Sequence, residues 1–364
     1  MDPLVREEVV RFMTDEFGNA GSRTHEFGNR AKRAAQEARD RIAKAVAADR
    51  DEVAFTSGAT ESNNLAILGL AEEGERTGRK HIISSPLEHK AVLEPLEELS
   101  RRGFEVEMLP ADERGWTDPA ALVAALRTDT LLVSLMHVNN ETGVRQPIEA
   151  YCAALGDSEA FFHVDGAQGF GKEIDPLKSK RIDLISISGH KIYAPKGVGA
   201  LVMRRRQFCP VPLTPLQYGG GQEQGVRPGT LPVHLVVGLG LAAQQAIKQH
   251  EQRKEACLKQ RDRALAALMP LEPAINGDPM ACMPHAISMS FPGVDSEALM
   301  LVLKGQVAIS NGSACTSHEY RPSHVLEAMG LDKPRTEGAI RLSWCHMTEE
   351  VDWEGVAQSI SRLL

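Results

Sequence analysis

The sequence predicts an α/β protein: a large domain built on a mostly parallel sheet, followed by a smaller α+β domain. Three observations lead there. Between residues 53 and 203, short apolar runs alternate with helical stretches, the pattern of strands buried on both faces and separated by helices. A long, increasingly charged helical stretch follows, and strand candidates then resume as a separate group. The length of 364 residues exceeds what one ordinary hydrophobic core serves and suits two domains.

The first segment, residues 5–17, has helical apolar spacing and runs into Gly18-Asn19-Ala20-Gly21-Ser22, a turn. Residues 30–48 are rich in Ala, Arg and Glu and predict a helix. Seven strands are expected at 53–56, 81–84, 106–109, 131–135, 161–165, 184–187 and 199–203, the first followed by a glycine turn and a helix from Glu61. Residues 211–230, dense in Pro, Gly and Gln, form a long loop, which marks them for a functional role. One helix is expected over 232–269, with the change of domain inside it near residue 246. Strands at 286–290 and 339–343 belong to the smaller domain. The expected division is thus a large domain over 12–245, and a small one formed by 1–11 and 246–364.

Composition excludes several classes. No apolar run approaches the roughly 20 residues that span a bilayer, and the charged start Met1-Asp2-Pro3-Leu4-Val5-Arg6-Glu7-Glu8 is unlike a secretion signal. A net charge of −8 argues against a broad electrostatic grip on nucleic acid. Six cysteines are scattered without CxxC or Cys/His clusters, so neither a disulfide scaffold nor a metal site is expected. A reducing cytoplasm is the natural compartment.

Four segments carry chemistry. Ser186-Ile187-Ser188-Gly189-His190-Lys191 follows an apolar strand, where α/β sheets line their ligand crevice. A lysine there can form a Schiff base with an aldehyde cofactor once desolvation or a neighbouring cation lowers its pKa. Alone, it would read as a surface lysine. Asp165, in His163-Val164-Asp165-Gly166-Ala167-Gln168, ends the preceding strand. Pyridoxal phosphate needs such an acidic partner for its ring nitrogen, because the protonated ring is the electron sink. A helix cap explains either residue separately and the pair poorly. Thr56-Ser57-Gly58-Ala59-Thr60-Glu61-Ser62-Asn63 lies between a strand and a helix, where small residues and a helix N-terminus suit a phosphate. It is neither a Walker loop nor a GxGxxG fingerprint, and a bare helix cap explains it as well. Ser310-Asn311-Gly312-Ser313-Ala314-Cys315-Thr316-Ser317 sets a cysteine in a small polar loop, and composition alone weighs a nucleophile and a structural thiol evenly. The other cysteines read as packing residues.

These four pieces, in this order and over nearly the whole chain, resemble the cysteine desulfurases of the class V aminotransferase family, on pyridoxal-phosphate fold type I. The resemblance implies that Ala59 and Thr60 bind the phosphate, that His89 in Glu88-His89-Lys90 stacks on the ring, and that Asn140 in Asn139-Asn140-Glu141-Thr142-Gly143 sits by its edge. Asp165 then pairs the ring nitrogen, Gln168 bonds the phenolic oxygen, Ser188 and His190 reach the phosphate, and Lys191 holds the cofactor. Thr230, in Arg227-Pro228-Gly229-Thr230, is implied as a phosphate contact donated across a homodimer interface. Arg341 is implied as the clamp for the carboxylate of L-cysteine, a task suited to a bidentate guanidinium. As a lone residue, His89 would read as structural. The implied reaction converts L-cysteine to L-alanine, with His89 handling thiol protons. Sulfur is taken up by Cys315 as a persulfide and passed to an acceptor protein.

The loop from Cys315 to His324 is similar to the longer loop of the family's first group. The family's usual Gly-Arg after the clamp strand is replaced by Trp344-Cys345-His346, a change expected to retune substrate or partner contacts. Together with the cysteine loop, Ser343-Trp344-Cys345-His346 is similar to the branch supplying sulfur for DNA phosphorothioation, with iron–sulfur assembly and tRNA thiolation as the other pathways. The chain starts at the first helix, without the short strand that usually precedes it. Either that start is truncated or misassigned, or that edge of the site is incomplete, and the short C-terminus at Leu364 puts in doubt the extension that docks iron–sulfur scaffold proteins in some members. Two alternatives stand beside the desulfurase. One is a selenocysteine lyase or other class V aminotransferase or lyase with Cys315 incidental. The other is a non-catalytic sulfur-partner scaffold, against which the Asp165/Lys191 pair argues.

Overall fold

A computed structural model describes residues 1–311 and 322–364. They form two compact units: Met1–Leu109, Pro119–His137 and Pro147–His250 make the first, and Pro110–Asp118, Val138–Gln146 and Glu251–Leu364 the second.

The first unit is built on β1 (Val53–Thr56), β2 (His81–Ser84), β3 (Glu105–Met108), β4 (Thr130–Ser134), β5 (Phe161–Asp165), β6 (Leu184–Ser188) and β7 (Gly199–Met203). Their order in the sheet is β1-β7-β6-β5-β4-β2-β3. From β3 to β6 all pairings are parallel, whereas β7 runs antiparallel to both β6 and β1. The reversal follows from the link: only residues 189–198 join the neighbours β6 and β7, short of the dozen or more residues of crossover that parallel neighbours need. β1, β2, β4, β6 and β7 are buried along their whole length, as their apolar runs require. β3 forms an exposed edge, and its Glu105 and Glu107 keep that edge charged.

Helices α1 (Pro3–Thr14) and α2 (Glu26–Ala45) pack on the helix Val233–Lys248. The contact is close because it is made by small residues. A Cβ at Gly240 would lie 2.4 Å from the Cα of Ala38, and one at Gly238 would lie 2.6 Å from Val9. Residues 1–11, expected in the smaller domain, therefore belong to the first unit: α1 buries Val5, Val9 and Phe12 there, and the Asp2 N–H donates to the Tyr193 carbonyl at 3.0 Å. The single helix expected over 232–269 is two, Val233–Lys248 and His250–Leu268, and the change of unit falls at His250.

The second unit carries the antiparallel sheet β10-β9-β8, formed by β8 (Ala274–Ile275), β9 (Ala286–Ser290) and β10 (Ala339–Ser343). Residues 110–118 and 138–146, expected in the large domain, belong here. Val144 bridges Cys282, Arg145 N–H donates to the Ala281 carbonyl at 3.0 Å, and Gln146 reaches the Gly115 carbonyl at 2.6 Å. The core includes Met289, Phe291, Leu299, Ile340 and Leu342, completed by Trp344 against Trp353 edge-on at 6.1 Å. The Trp344 indole N–H donates to the carbonyls of Cys257 and Pro284 at 3.0 and 2.9 Å, so this side chain is a packing residue. Cys209, expected to pack, is exposed at a tight turn where Arg206 and Cys209 pair backbone to backbone.

Across the middle of the large sheet, His163 joins three strands. Its Nδ1 meets Ser134 Oγ at 2.8 Å and its Nε2 meets Ser186 Oγ at 2.9 Å. Complete burial pushes its pKa down to about 3, so the ring is neutral in the folded chain. The unfolded chain binds this proton near 6.5 and the folded chain does not, so stability falls as pH drops from 6.5 towards 3. His163→Asn should flatten that part of the slope in thermal melts collected across this range, whatever it does to stability at pH 8.

Candidate active site

The parallel strands end on one edge of the sheet, where Asp165 and Ser188 close β5 and β6 and His190 and Lys191 follow directly. β1 leads through Ser57-Gly58 into α3 (Ala59–Leu68). Gly199, opposite both Thr56 and Ser188 in the ladder, admits this turn: a Cβ there would lie 2.6 Å from the Cα of Gly58. The N-terminus of α3 is thereby set beside Ser188 at the end of β6. Gly58 is its N-cap, and no side chain caps it, so its first N–H groups are left for another acceptor. Ala59 is half-buried and the Thr60 side chain is exposed beside them.

One turn further along α3, Asn63 faces into the protein. Its Nδ2 donates to Asp165 Oδ2 at 2.7 Å, and the Ala167 N–H donates to Oδ1 at 2.9 Å. Asp165 ends β5, the central strand of the sheet, and is 7% exposed. Glu88 lies nearby, wholly buried, and takes the Met136 N–H at 2.5 Å. Burial first, and then the nearness of Asp165, push the Glu88 carboxyl well above the ordinary range.

Lys191 sits in the turn Gly189–Ile192 directly after β6, half-buried, one strand over from Asp165. Its neighbour His190 contacts Ser188 Oγ through Nδ1 at 3.1 Å. Burial, then the charges of Lys191, Lys196 and Lys172, lower the His190 pKa, so this ring adds no positive charge near neutrality. His89 caps the helix Lys90–Arg101 by accepting the Ala91 N–H on Nδ1 at 3.0 Å, which leaves Nε2 as the ring nitrogen that carries a proton. Gln168 is half-buried just after Asp165. Thr230 is exposed in the 211–230 loop and lines a cleft of about 530 Å³ with Asn19, Lys32, Gln36 and Gln222.

Two ion pairs hold that loop. Arg39 binds Glu223 with two bonds of 2.7 and 2.8 Å, while Glu223 Oε2 also takes the Phe55 N–H of β1 at 2.6 Å. Arg227 Nε donates to Glu61 Oε1 at 2.7 Å.

In the second unit, the Asn139 side chain accepts the N–H groups of Glu141 and Thr142 at 2.8 and 2.9 Å, forming a tight turn that presents Asn140. Arg341 Nη1 donates to the Asn140 carbonyl at 2.6 Å, and the Arg341 backbone pairs with Ser310. Ser323 Oγ donates to the buried carboxylate of Glu141. Asn140 and Arg341 are thus brought together, and the segments on either side of the predicted nucleophile are fastened to them. Cys315 itself lies outside the described residues.

Across the chain, residues 1–355 match the family model "Aminotransferase class-V". The chain belongs to the class-V aminotransferase family. It is 45% identical over 355 residues to "Cysteine desulfurase IscS" of Vibrio cholerae, spanning 97% of this chain and 87% of that one. It is 43% identical over 369 residues to a human "Cysteine desulfurase", spanning 100% of this chain and 80% of that one. Among solved structures, DndA from Streptomyces lividans superposes with a TM-score of 0.85 at 50% identity, covering 94% of this chain and 96% of that one. "SspA in complex with cysteine" does so at 0.82 and 34% identity, covering 94% and 95%.

Family members depend on pyridoxal phosphate, and the residues present fit it. An uncapped helix N-terminus with Thr60 and Ser188 beside it suits the phosphate, Lys191 can take the aldehyde, and a hydrogen-bonded Asp165 suits the ring nitrogen. Sequence reasoning assigned no role to Asn63 or Glu88. The signal for Asn63 was present: a polar residue one helical turn after Ala59, two residues before the apolar Leu65-Ala66-Ile67. Removing its donor in Asn63→Ala should lower turnover about tenfold, the worth of one hydrogen bond to a charged group. Steady-state rates on cofactor-saturated enzyme check this.

Proposed function

We propose that the chain is a pyridoxal-phosphate-dependent cysteine desulfurase. It removes the sulfur of L-cysteine, leaves L-alanine, takes the sulfur on Cys315 as a persulfide and passes it to an acceptor protein. The observation that carries the reading is Asp165, buried on the central strand and held by Asn63 and the Ala167 N–H, with Lys191 after the adjacent strand. Support for sulfur chemistry comes from 45% identity to a cysteine desulfurase over 97% of the chain.

Pyridoxal phosphate, when bound, supplies an aldehyde for the lysine and an electron sink for the substrate carbanion. Around it the protein residues divide the work. Ala59, Thr60, Ser188 and His190 would hold the phosphate, with Thr230 contributing to the second subunit of a homodimer. His89 and Asn140 would flank the ring, and Gln168 would bond its phenolic oxygen. Asp165 would serve as the acidic partner of the ring nitrogen. Arg341 clamps the substrate carboxylate, and Lys191 Nζ takes the proton from the substrate Cα. The Cys315 thiolate then attacks the substrate sulfur: an S–S bond forms, the Cβ–S bond breaks, Cβ takes a proton, and Lys191 Nζ returns its proton to Cα to give alanine. His89 Nε2 is the acid–base atom for the thiol protons.

The finer assignment is cytoplasmic sulfur supply to DNA phosphorothioation, for which Ser343-Trp344-Cys345-His346 and the cysteine loop are the support. Mass spectrometry tests the central step. After incubation with L-cysteine, the Cys315 peptide should gain one sulfur atom, and Cys315→Ser should lose sulfide release on the order of a hundredfold or more. Full cysteine turnover by Cys315→Ser would move the chain to the lyases, in which that thiol is incidental. Lys191→Ala should lose the visible absorption of lysine-bound cofactor, and its persistence would refute the lysine assignment.

A further inference from the structure

We propose that Arg227 is a positioning residue for the cofactor phosphate: it cancels the negative charge of Glu61 in the first turn of the phosphate-binding helix and ties the 211–230 loop to that turn. The inference rests on the reading of Ala59 and Thr60 as the phosphate cradle, and deepens it.

A helix N-terminus attracts an anion through its unpaired N–H groups and the positive end of its dipole. An acidic side chain in the same turn stabilises the helix but competes with that anion. α3 has one such residue, Glu61. Its carboxylate is drawn back over the turn before the helix, because Oε2 accepts the Ser57 N–H at 2.6 Å. A phosphate on this helix therefore meets a fixed negative charge at close range.

Arg227 answers that charge. Its Nε lies 2.7 Å from Glu61 Oε1 and its Nη2 lies 3.4 Å from Oε2. The two side chains are only 22% and 23% exposed, so water screens the pair less than it does a surface ion pair. Burial alone would raise the Glu61 carboxyl; the bonds from Arg227 and Ser57 outweigh it and hold the group below its ordinary value, charged at neutral pH.

The same contact anchors the loop. Gly229 N–H donates to Gln222 Oε1 at 2.9 Å and Gln217 Nε2 donates to the Pro228 carbonyl at 2.9 Å. The segment that carries Thr230 is thus cross-linked internally, and Arg227 fastens it to the cradle. A purely structural ion pair would affect stability and leave cofactor affinity alone. Here the two charges have opposite effects on affinity.

The test is a titration of apoenzyme with pyridoxal phosphate, followed by visible absorbance, with thermal melts of each apo form alongside. Arg227→Met should weaken binding about tenfold, since an unopposed carboxylate then faces the phosphate. Glu61→Gln alone should stay within about threefold of wild type, and Glu61→Gln combined with Arg227→Met should recover most of the loss. Arg227→Lys, which keeps charge and fold, should also bind within about threefold. Equal affinity in wild type and Arg227→Met, a double variant as weak as the single, or a tenfold loss in Arg227→Lys overturns the proposal. A wild-type apoenzyme that takes up no cofactor overturns the cofactor reading itself, whereas indifferent variants of a binding wild type overturn this inference alone.

Discussion

Burying the carboxylate of Asp165 on the central strand carries a desolvation cost that its surroundings must offset, and much of the first unit's polar architecture answers that demand. Asn63 and the Ala167 N–H each give one oxygen a donor. Burial and the nearness of Asp165 raise the Glu88 carboxyl, which disfavours a second buried charge there. His163, two residues earlier on the same strand, is neutral and spends both ring nitrogens on serines of the adjacent strands. The donors are thus gathered on Asp165, at the place where a protonated ring nitrogen would need an acidic partner.

The helix α3 serves two ends of the same ligand. Its first turn offers N–H groups to a phosphate, and Asn63, one turn on, holds the acid that serves the ring. The geometry depends on the close backbone approach at Gly199, where any side chain would push the turn away. In the second unit Arg341 likewise has two roles: its backbone pairs with Ser310 and its guanidinium reaches the Asn140 carbonyl. The residue assigned to the substrate carboxylate also fixes the root of the segment leading to Cys315.

Much of this was legible in the sequence, because the signals are local. All seven strands of the large sheet stand within a residue or so of their apolar runs, and Asp165 and Lys191 could be placed from strand ends alone. What escaped depends on distant partners. Residues 138–146 follow β4 directly and look like part of the large domain; their membership of the second unit rests on bonds to Ala281 and Cys282. Residues 1–11 join the first unit through Val9 packed against Gly238 and the Asp2 N–H on the Tyr193 carbonyl, contacts that periodicity does not announce. Trp344 read as a variation near the substrate, although its indole completes a core. The roles of Asn63 and Glu88 appear only once Asp165 is seen to be buried beside them.

Trp344 has a consequence for how this chain can change. Its indole bridges two carbonyls and meets Trp353 in the core. Trp344→Gly would leave a cavity and take the indole donor from both carbonyls, so the strand that carries Arg341 depends on a side chain well away from the substrate. Transplanting that strand into another scaffold would require the groups that receive the indole to travel with it as a set.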